Sequence, residues 1–401
     1  MIYRDFLGEK ISLLGFGAMR MPLISSDPNS PVDEEHVARM IDYALKHGVN
    51  YFDSAYPYHG GQSDRILGDI LSKYPRDSYY LATKYPGHQI AEKYDPAGVF
   101  EEQLKNCKVD YFDFYLYHNI YEECLDVYLD PQWGIMDYFV EQKKLGRIKH
   151  LGFSTHFLAE NLRPFLEKYG HIMDFCQIQL NYMDWTLQNA KEKVEMLNEY
   201  NLPIIVMEPL RGGKLAKLSE ENEAKLKALR PDASIPSWSF RWLQEVPSLM
   251  TILSGMSNME QLIDNVATFE SENPLNEAEK NTLYEIADSM MNNIPCTGCR
   301  YCTKGCPQEL NIPMLLDRYN EARFMANINL GMTIDSLPED KRPSACIECG
   351  QCTQVCPQKI DIPVAMKDFQ VILSKLPNWK DICREREAIA LKSKEEARKN
   401  A

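Results

Sequence analysis

Two runs of cysteine carry the densest chemistry in this 401-residue chain. "CTGCRYCTKGCP" begins at Cys296 and "CIECGQCTQVCP" at Cys346, and both space their thiols as C-x2-C-x2-C-x3-C-P. A loop that brings three thiolates so close together folds around a cubane iron–sulfur cluster and reaches three of its corners, while the fourth cysteine points away and ligates the other cluster. The spacing therefore predicts two 4Fe–4S clusters. Cys296, Cys299, Cys302 and Cys356 would hold one, and Cys346, Cys349, Cys352 and Cys306 the other. Structural zinc is the alternative, but zinc sites split their ligands into two separated pairs instead of gathering four within eleven residues. The other cysteines, Cys107, Cys124, Cys176 and Cys383, stand alone and read as buried or incidental thiols.

A second set of reactive groups is spread along the front of the chain. Asp53 follows "NYF", Lys84 follows "YYLAT" and His118 follows "FYLY", so each closes a strand-like run, and Tyr58 lies five residues past Asp53. Singly they read as a capping acid, a solvent lysine, a satisfied histidine and a rim tyrosine. A fold that gathers the carboxyl ends of its strands on one face would turn them into one acid–base site.

The elements that must do this gathering are legible. Strand-like runs fall at 13–19, 50–55, 79–84, 111–118, 148–154, 175–180, 203–208 and 249–254, with amphipathic helices between them. Asp33, for example, precedes a helix with Val37, Met40, Ile41 and Ala44 on one face, ended by Gly48. Eight strands alternating with helices predict an α/β fold, a (β/α)8 TIM barrel over 1–285. An open doubly wound sheet is the alternative, and no G-x-G-x-x-G follows an early strand to support it; "GFGAM" has one G-x-G only. Near residue 290 strand signals stop. The two cysteine runs each continue to an Ile-Pro step that opens a helix, so 286–378 is expected to be a small all-α iron–sulfur domain, and 379–401 a charged C-terminal helix.

Composition narrows the partners. A formal charge of −14 leaves no phosphate-neutralising face, so nucleic acid is not expected. No run of 18 apolar residues exists and "MIYRDFLGEK" lacks an apolar signal core, so no membrane and a cytoplasmic location are expected.

On these residues two resemblances rest. The paired cysteine runs, with their Cys-Pro-x4-Ile-Pro continuation, look like the helical two-cluster ferredoxin module. The front resembles the aldo-keto reductases through "DSAYPY", "ATK" and "LYH", followed in family order by "GRIKHLGFST", "QIQLNY", "EPLRGGKL" and "LSGMSNMEQLIDN". The resemblance implies that Tyr58 protonates a carbonyl oxygen, that Lys84 eases this by favouring the phenolate, that Asp53 holds Lys84, and that His118 orients the carbonyl. It also implies a nicotinamide cofactor, NADP or NAD. Ser154 and Gln177 would meet its carboxamide, Pro209, Leu210, Gly212 and Gly213 its pyrophosphate, and Ser257, Gln261 and Asn265 its adenosine end. The chain departs from the family at three positions. Met207 stands where a tyrosine often stacks, Glu208 where many members have serine, and Asn258 where a Lys or Arg grips the 2′-phosphate.

The expected activity is that of an oxidoreductase acting on a small-molecule carbonyl or alcohol, with clusters exchanging electrons with a ferredoxin-type partner. Hydride moves two electrons together and a cluster passes one, so coupling them calls for a flavin, which a barrel mouth can hold without a linear motif. An ordinary NAD(P)H carbonyl reductase with structural clusters and a non-catalytic electron carrier are the alternatives. In the loops 85–95 and 119–132, Tyr85, Tyr121 and Tyr128 suit a ring-containing substrate or plain surface positions.

Overall fold

The structure is a computed structural model. It describes all residues except 28, 29, 292, 400 and 401, and in the last helix no side chain at 390 or beyond Leu391. The last two positions of the expected terminal helix thus lie outside the described residues.

A hairpin opens the chain: β1 (Tyr3–Phe6) pairs antiparallel with β2 (Glu9–Ser12). Eight parallel strands follow and close into a barrel: β3 (Leu14–Gly17), β4 (Tyr51–Asp53), β5 (Tyr80–Tyr85), β6 (Phe112–Ile120), β7 (Ile148–Thr155), β8 (Phe175–Gln179), β9 (Ile204–Met207) and β10 (Leu249–Ser254). Closure comes from β10, which pairs with both β9 and β3. Every predicted strand is present within two residues of its expected position, because strands buried on both faces read as short continuous apolar runs.

The hairpin is the element the sequence reading lacks. Its four-residue strands lie at the short limit of the length over which alternation can be read. Phe6 and Ile11 are buried together with Tyr51, Phe114 and Phe175, which start or lie early in their strands, so the hairpin closes the amino end of the barrel. The opposite end is left to the loops that follow the strands, and that is where a site belongs. The G-x-G of β3 is explained by packing. A Cβ on Gly15 would come within 2.8 Å of Leu253 Cδ2 and 3.0 Å of Thr251 Oγ1, so glycine lets β3 and β10 meet.

The helix after Asp33 runs Glu34–Lys46 and buries Val37, Met40, Ile41 and Ala44, with the Asp33 side chain accepting from His36 N. The chain divides into two compact units, residues 1–283 with 388–401, and 284–387. The second unit is helical. Its helices Ile312–Met325 and Ile362–Leu373 each start on the Ile-Pro step, where proline sits at a position that needs no N–H donor. Ile312 and Ile362 are both buried in one core with Leu315, Leu316, Met366 and Phe369, and each such side chain contributes roughly 2 kcal/mol. Among the described residues no helix is long and apolar enough to cross a membrane.

Candidate active site and cysteine cavities

Asp53 ends β4, Lys84 lies one residue from the end of β5, and His118 lies in the last third of β6. Adjacent parallel strands carry all three, so their side chains rise at one face of the barrel. Lys84 Nζ donates to Asp53 Oδ1 at 2.5 Å and to Ser54 O at 2.6 Å, with both side chains of the pair buried. Burial alone would lower the Lys84 pKa, but Asp53, with Tyr58 and Asp64 adding, holds the ammonium above the ordinary lysine value. Burial in turn lifts the Asp53 carboxyl against the pull of Lys84.

Tyr58 reaches this pair from the loop after β4. A tight turn over Tyr58–Gly61, with His59 and Gly60 in the left-handed region, folds the loop back, and His59 Nε2 bonds to Ala18 O at 3.0 Å. Lys84 Nζ lies 5.1 Å from the centre of the Tyr58 ring, and the Tyr58 and His118 rings meet edge to face at 5.8 Å. The three side chains singled out at strand ends, and Tyr58 from the loop, are therefore assembled in one place. His118 is steadied by its backbone: Tyr128 donates its hydroxyl to His118 O at 2.6 Å, and the same hydroxyl lies 3.1 Å from Tyr85 O. Tyr85, Tyr121 and Tyr128 are all buried, which corrects their reading as surface or substrate-facing rings; they support the loops that carry the site.

Behind Lys84 lies a polar network that the sequence does not reveal. Asp64 is fully enclosed and accepts from Ser54 Oγ at 2.5 Å, Thr83 Oγ1 at 3.0 Å and Gln103 Nε2 at 3.1 Å. The Lys84 charge thus acts on two buried carboxyls, those of Asp53 and Asp64. These residues come from four different elements, so no spacing marks them. His88 is another addition: it is buried, and its ring centre is 4.4 Å from that of His118.

The residues expected at a dinucleotide ring the same end. Ser154 and Gln177 are paired neighbours on β7 and β8, both buried, and Ser154 Oγ accepts from Asn119 N at 2.7 Å, which leaves its own O–H to donate. After β9, Glu208, Arg211, Gly212 and Gly213 all take positive φ, and the space beyond Gly213 is open. A fully buried ion pair between Arg211 and Asp184 holds this loop, and Asn181 Nδ2 ties both sides, donating to Asp184 Oδ2 at 2.6 Å and Glu208 O at 3.1 Å. Pro209 O accepts from Ser239 Oγ at 2.6 Å. Met207 closes β9 and is half-buried. At the start of the helix Met259–Thr268, Asn258 caps Gln261 N at 2.9 Å and Gln261 Oε1 accepts from Ser257 N at 2.8 Å, while Asn265 Nδ2 donates to Ser254 Oγ at 3.0 Å. An exposed glycine pair with positive φ lets a pyrophosphate-bearing ligand approach the backbone closely here.

In the second unit two cavities repeat one design. Cys306, Cys346, Cys349 and Cys352 line a cavity of about 360 Å³ with Leu310, Ile312 and Met366. Cys296, Cys299, Cys302 and Cys356 line one of about 320 Å³ with Leu316 and Ile360. Each cavity therefore takes three cysteines from one run and the last from the other. Four thiols against an apolar wall fit a cubane cluster, and none of them is in a disulfide. Cys107, Cys124, Cys176 and Cys383 are buried.

Comparison with known proteins agrees with both units. The model of the aldo/keto reductase family matches residues 13–288, and that of the 4Fe-4S dicluster domain matches 295–360. The chain is 24% identical over 305 residues to the NADH-specific methylglyoxal reductase of Escherichia coli, covering 65% of this chain and 90% of that one. It is 24% identical over 288 residues to the L-galactose dehydrogenase of Arabidopsis thaliana, covering 65% and 85%. An aldo-keto reductase from Bacillus halodurans in its holo form shares the fold, with a TM-score of 0.57 at 23% identity over 71% of this chain and 96% of that one.

Proposed function

The chain belongs to the aldo/keto reductase family and carries a 4Fe-4S dicluster domain, and on that premise we propose an NAD(P)-dependent oxidoreductase that interconverts a small carbonyl and its alcohol at the barrel mouth. Its clusters exchange single electrons with a ferredoxin-type partner. One observation carries the catalytic part: a buried Lys84–Asp53 pair lies directly under the ring of Tyr58, with His118 against the same ring.

Each residue has a role that follows from its surroundings. A free phenol ionises near pH 10, too high to give up its proton readily at neutral pH. The Lys84 ammonium favours the phenolate and so eases donation of the Tyr58 proton to a carbonyl oxygen. Asp53 keeps Lys84 charged and in place, and His118 directs the carbonyl toward the tyrosine. In the reverse direction the phenolate takes the alcohol proton. A nicotinamide, when bound, supplies the hydride to the carbonyl carbon or accepts it from the alcohol. Ser154 and Gln177 would hold its carboxamide, and the Pro209–Gly213 loop its pyrophosphate. The relative named for methylglyoxal supports a small carbonyl as substrate, and its stated NADH specificity suits a chain with Asn258 in place of a basic residue.

For the clusters we assign Cys296, Cys299, Cys302 and Cys356 to one and Cys346, Cys349, Cys352 and Cys306 to the other, on the strength of the two cavity linings. When bound, they supply one-electron transfer. A second reading, structural clusters in an ordinary carbonyl reductase, draws support from the burial of Cys302 and Cys352 within the module's core.

The test is anaerobic turnover of a small-carbonyl panel with NADH and NADPH, for the wild type and Tyr58→Phe, with cluster absorbance followed throughout. Loss of turnover by about 10²–10⁴-fold in Tyr58→Phe, at unchanged iron content, is expected. Activity surviving in Tyr58→Phe would overturn the catalytic reading. Cluster absorbance that stays constant with every reductant and partner would leave only the structural reading of the clusters.

A further inference from the structure

We propose that Arg20 is the cation that binds a phosphate of the dinucleotide, in place of the basic residue missing at position 258; this rests on the nicotinamide reading given above. Arg20 ends the short turn Ala18–Arg20 that leaves β3, beside the loop after β10, the strand paired with β3. Its side chain is laid across both loops. A Cβ on Gly255 would lie 3.2 Å from Cβ and Cδ of Arg20 and 3.3 Å from its Cγ, and a Cβ on Gly212 would lie 3.5 Å from its Nη2. Glycine at 255 leaves the arginine its path, and the contact at Gly212 marks where its guanidinium ends. Ser257 Oγ donates to Arg20 O at 2.9 Å, which fixes the backbone from which the side chain starts.

The guanidinium is thus carried from the adenosine-side loop, next to Ser257 and Asn258, toward the glycine pair of the pyrophosphate-side loop. Among the described residues it makes no hydrogen bond or ion pair, and Arg20 is exposed. The neighbouring arginine cannot serve instead, because Arg211 is fully buried and faces Asp184. Asn258 is also committed, since its side-chain oxygen caps Gln261 N. An arginine offers planar, paired N–H donors that match a phosphate and keep their charge at any working pH. The role left vacant after β10 is therefore taken up from the loop after its paired neighbour, β3. Arg20 lies in "GFGAMRMP", a run whose glycines drew the sequence reading while its arginine did not.

Two phosphates share this chemistry, the 2′-phosphate of NADP and the pyrophosphate common to both dinucleotides. The experiment measures Kd for NADPH and for NADH by fluorescence on the cluster-loaded protein, for the wild type, Arg20→Ala and Arg20→Lys, with thermal unfolding as the folding control. Arg20→Ala is expected to weaken binding at least about tenfold, and Arg20→Lys to recover part of it. Weakening confined to NADPH assigns Arg20 to the 2′-phosphate, and equal weakening of both assigns it to the pyrophosphate. Unchanged Kd values in Arg20→Ala, with the wild type binding, overturn this proposal alone. A wild type that binds neither dinucleotide overturns the nicotinamide reading and this proposal with it.

Discussion

Lys84 Nζ lies 2.5 Å from Asp53 Oδ1 with both side chains buried, and its charge acts on both that carboxylate and Asp64. Asp53→Asn removes the strongest support of the ammonium, so the Lys84 pKa falls from its raised value. Lysine is active in this scheme only while charged, so the alkaline limb of the kcat/KM profile moves to lower pH. A drop of about 10²-fold near pH 8 is expected, with a smaller loss at pH 6. A profile parallel to the wild type would show that Asp53 does not act through Lys84.

The cavity linings make a prediction about iron. Cys356→Ser and Cys299→Ser, far apart in sequence, affect the same cavity, whereas Cys306→Ser affects the other despite lying beside Cys299. Each variant should retain about half of the iron of two four-iron clusters. The reduced EPR spectra of Cys356→Ser and Cys299→Ser should match one another and differ from that of Cys306→Ser. Spectra grouped by sequence run would refute the exchange of the fourth ligand.

What the sequence reveals follows from how locally each feature is encoded. Strands of the barrel and the Asp33-capped helix are written in consecutive residues, and so is the thiol spacing of each cluster run. Asp53, Lys84 and His118 are legible because each ends or nearly ends a strand, and Tyr58 because it follows one closely. The Asp64–Gln103–Thr83 network, His88 beside His118 and the Asp184–Arg211 pair are not legible. Their partners come from separate strands and loops, and only the closed barrel brings them together. Arg20 is missed for the same reason, since its meaning depends on loops more than 190 residues away.

Gly68 tests how tightly the first helices after the site are packed. It lies in the helix Ser63–Leu71, which also carries Asp64, and a Cβ there would stand 2.2 Å from Asn106 O and 2.7 Å from Cys107 Cα. Those are backbone atoms, so a side-chain rotation cannot relieve the clash. Gly68→Ala should destabilise by about 2–3 kcal/mol despite alanine's better helix propensity. It should also lower turnover by displacing Asp64. A variant at least as stable as the wild type by urea denaturation would refute the packing.

Glu279 gives a pH-dependent test within the first unit. Arg230 holds it through two bonds, Nε to Oε1 at 2.5 Å and Nη2 to Oε2 at 2.7 Å, while Asn276 N donates to Oε2 at 2.8 Å. The bond from Arg230 lowers the Glu279 pKa below its ordinary value. A carboxyl with a depressed folded pKa contributes stability that is full above its unfolded pKa, about 4.3, and fades as pH falls through the lower folded value. Glu279→Gln should therefore cost about 2 kcal/mol at pH 7 and progressively less below about pH 4. Acid loss of cluster iron is common to both proteins and cancels in the difference between them. Trp238, whose ring lies 6.0 Å from the Arg230 guanidinium, offers a fluorescence probe of the same region. A stability gap between wild type and variant that is equal at pH 7 and pH 3 would show that the charge on Glu279 does not stabilise this contact.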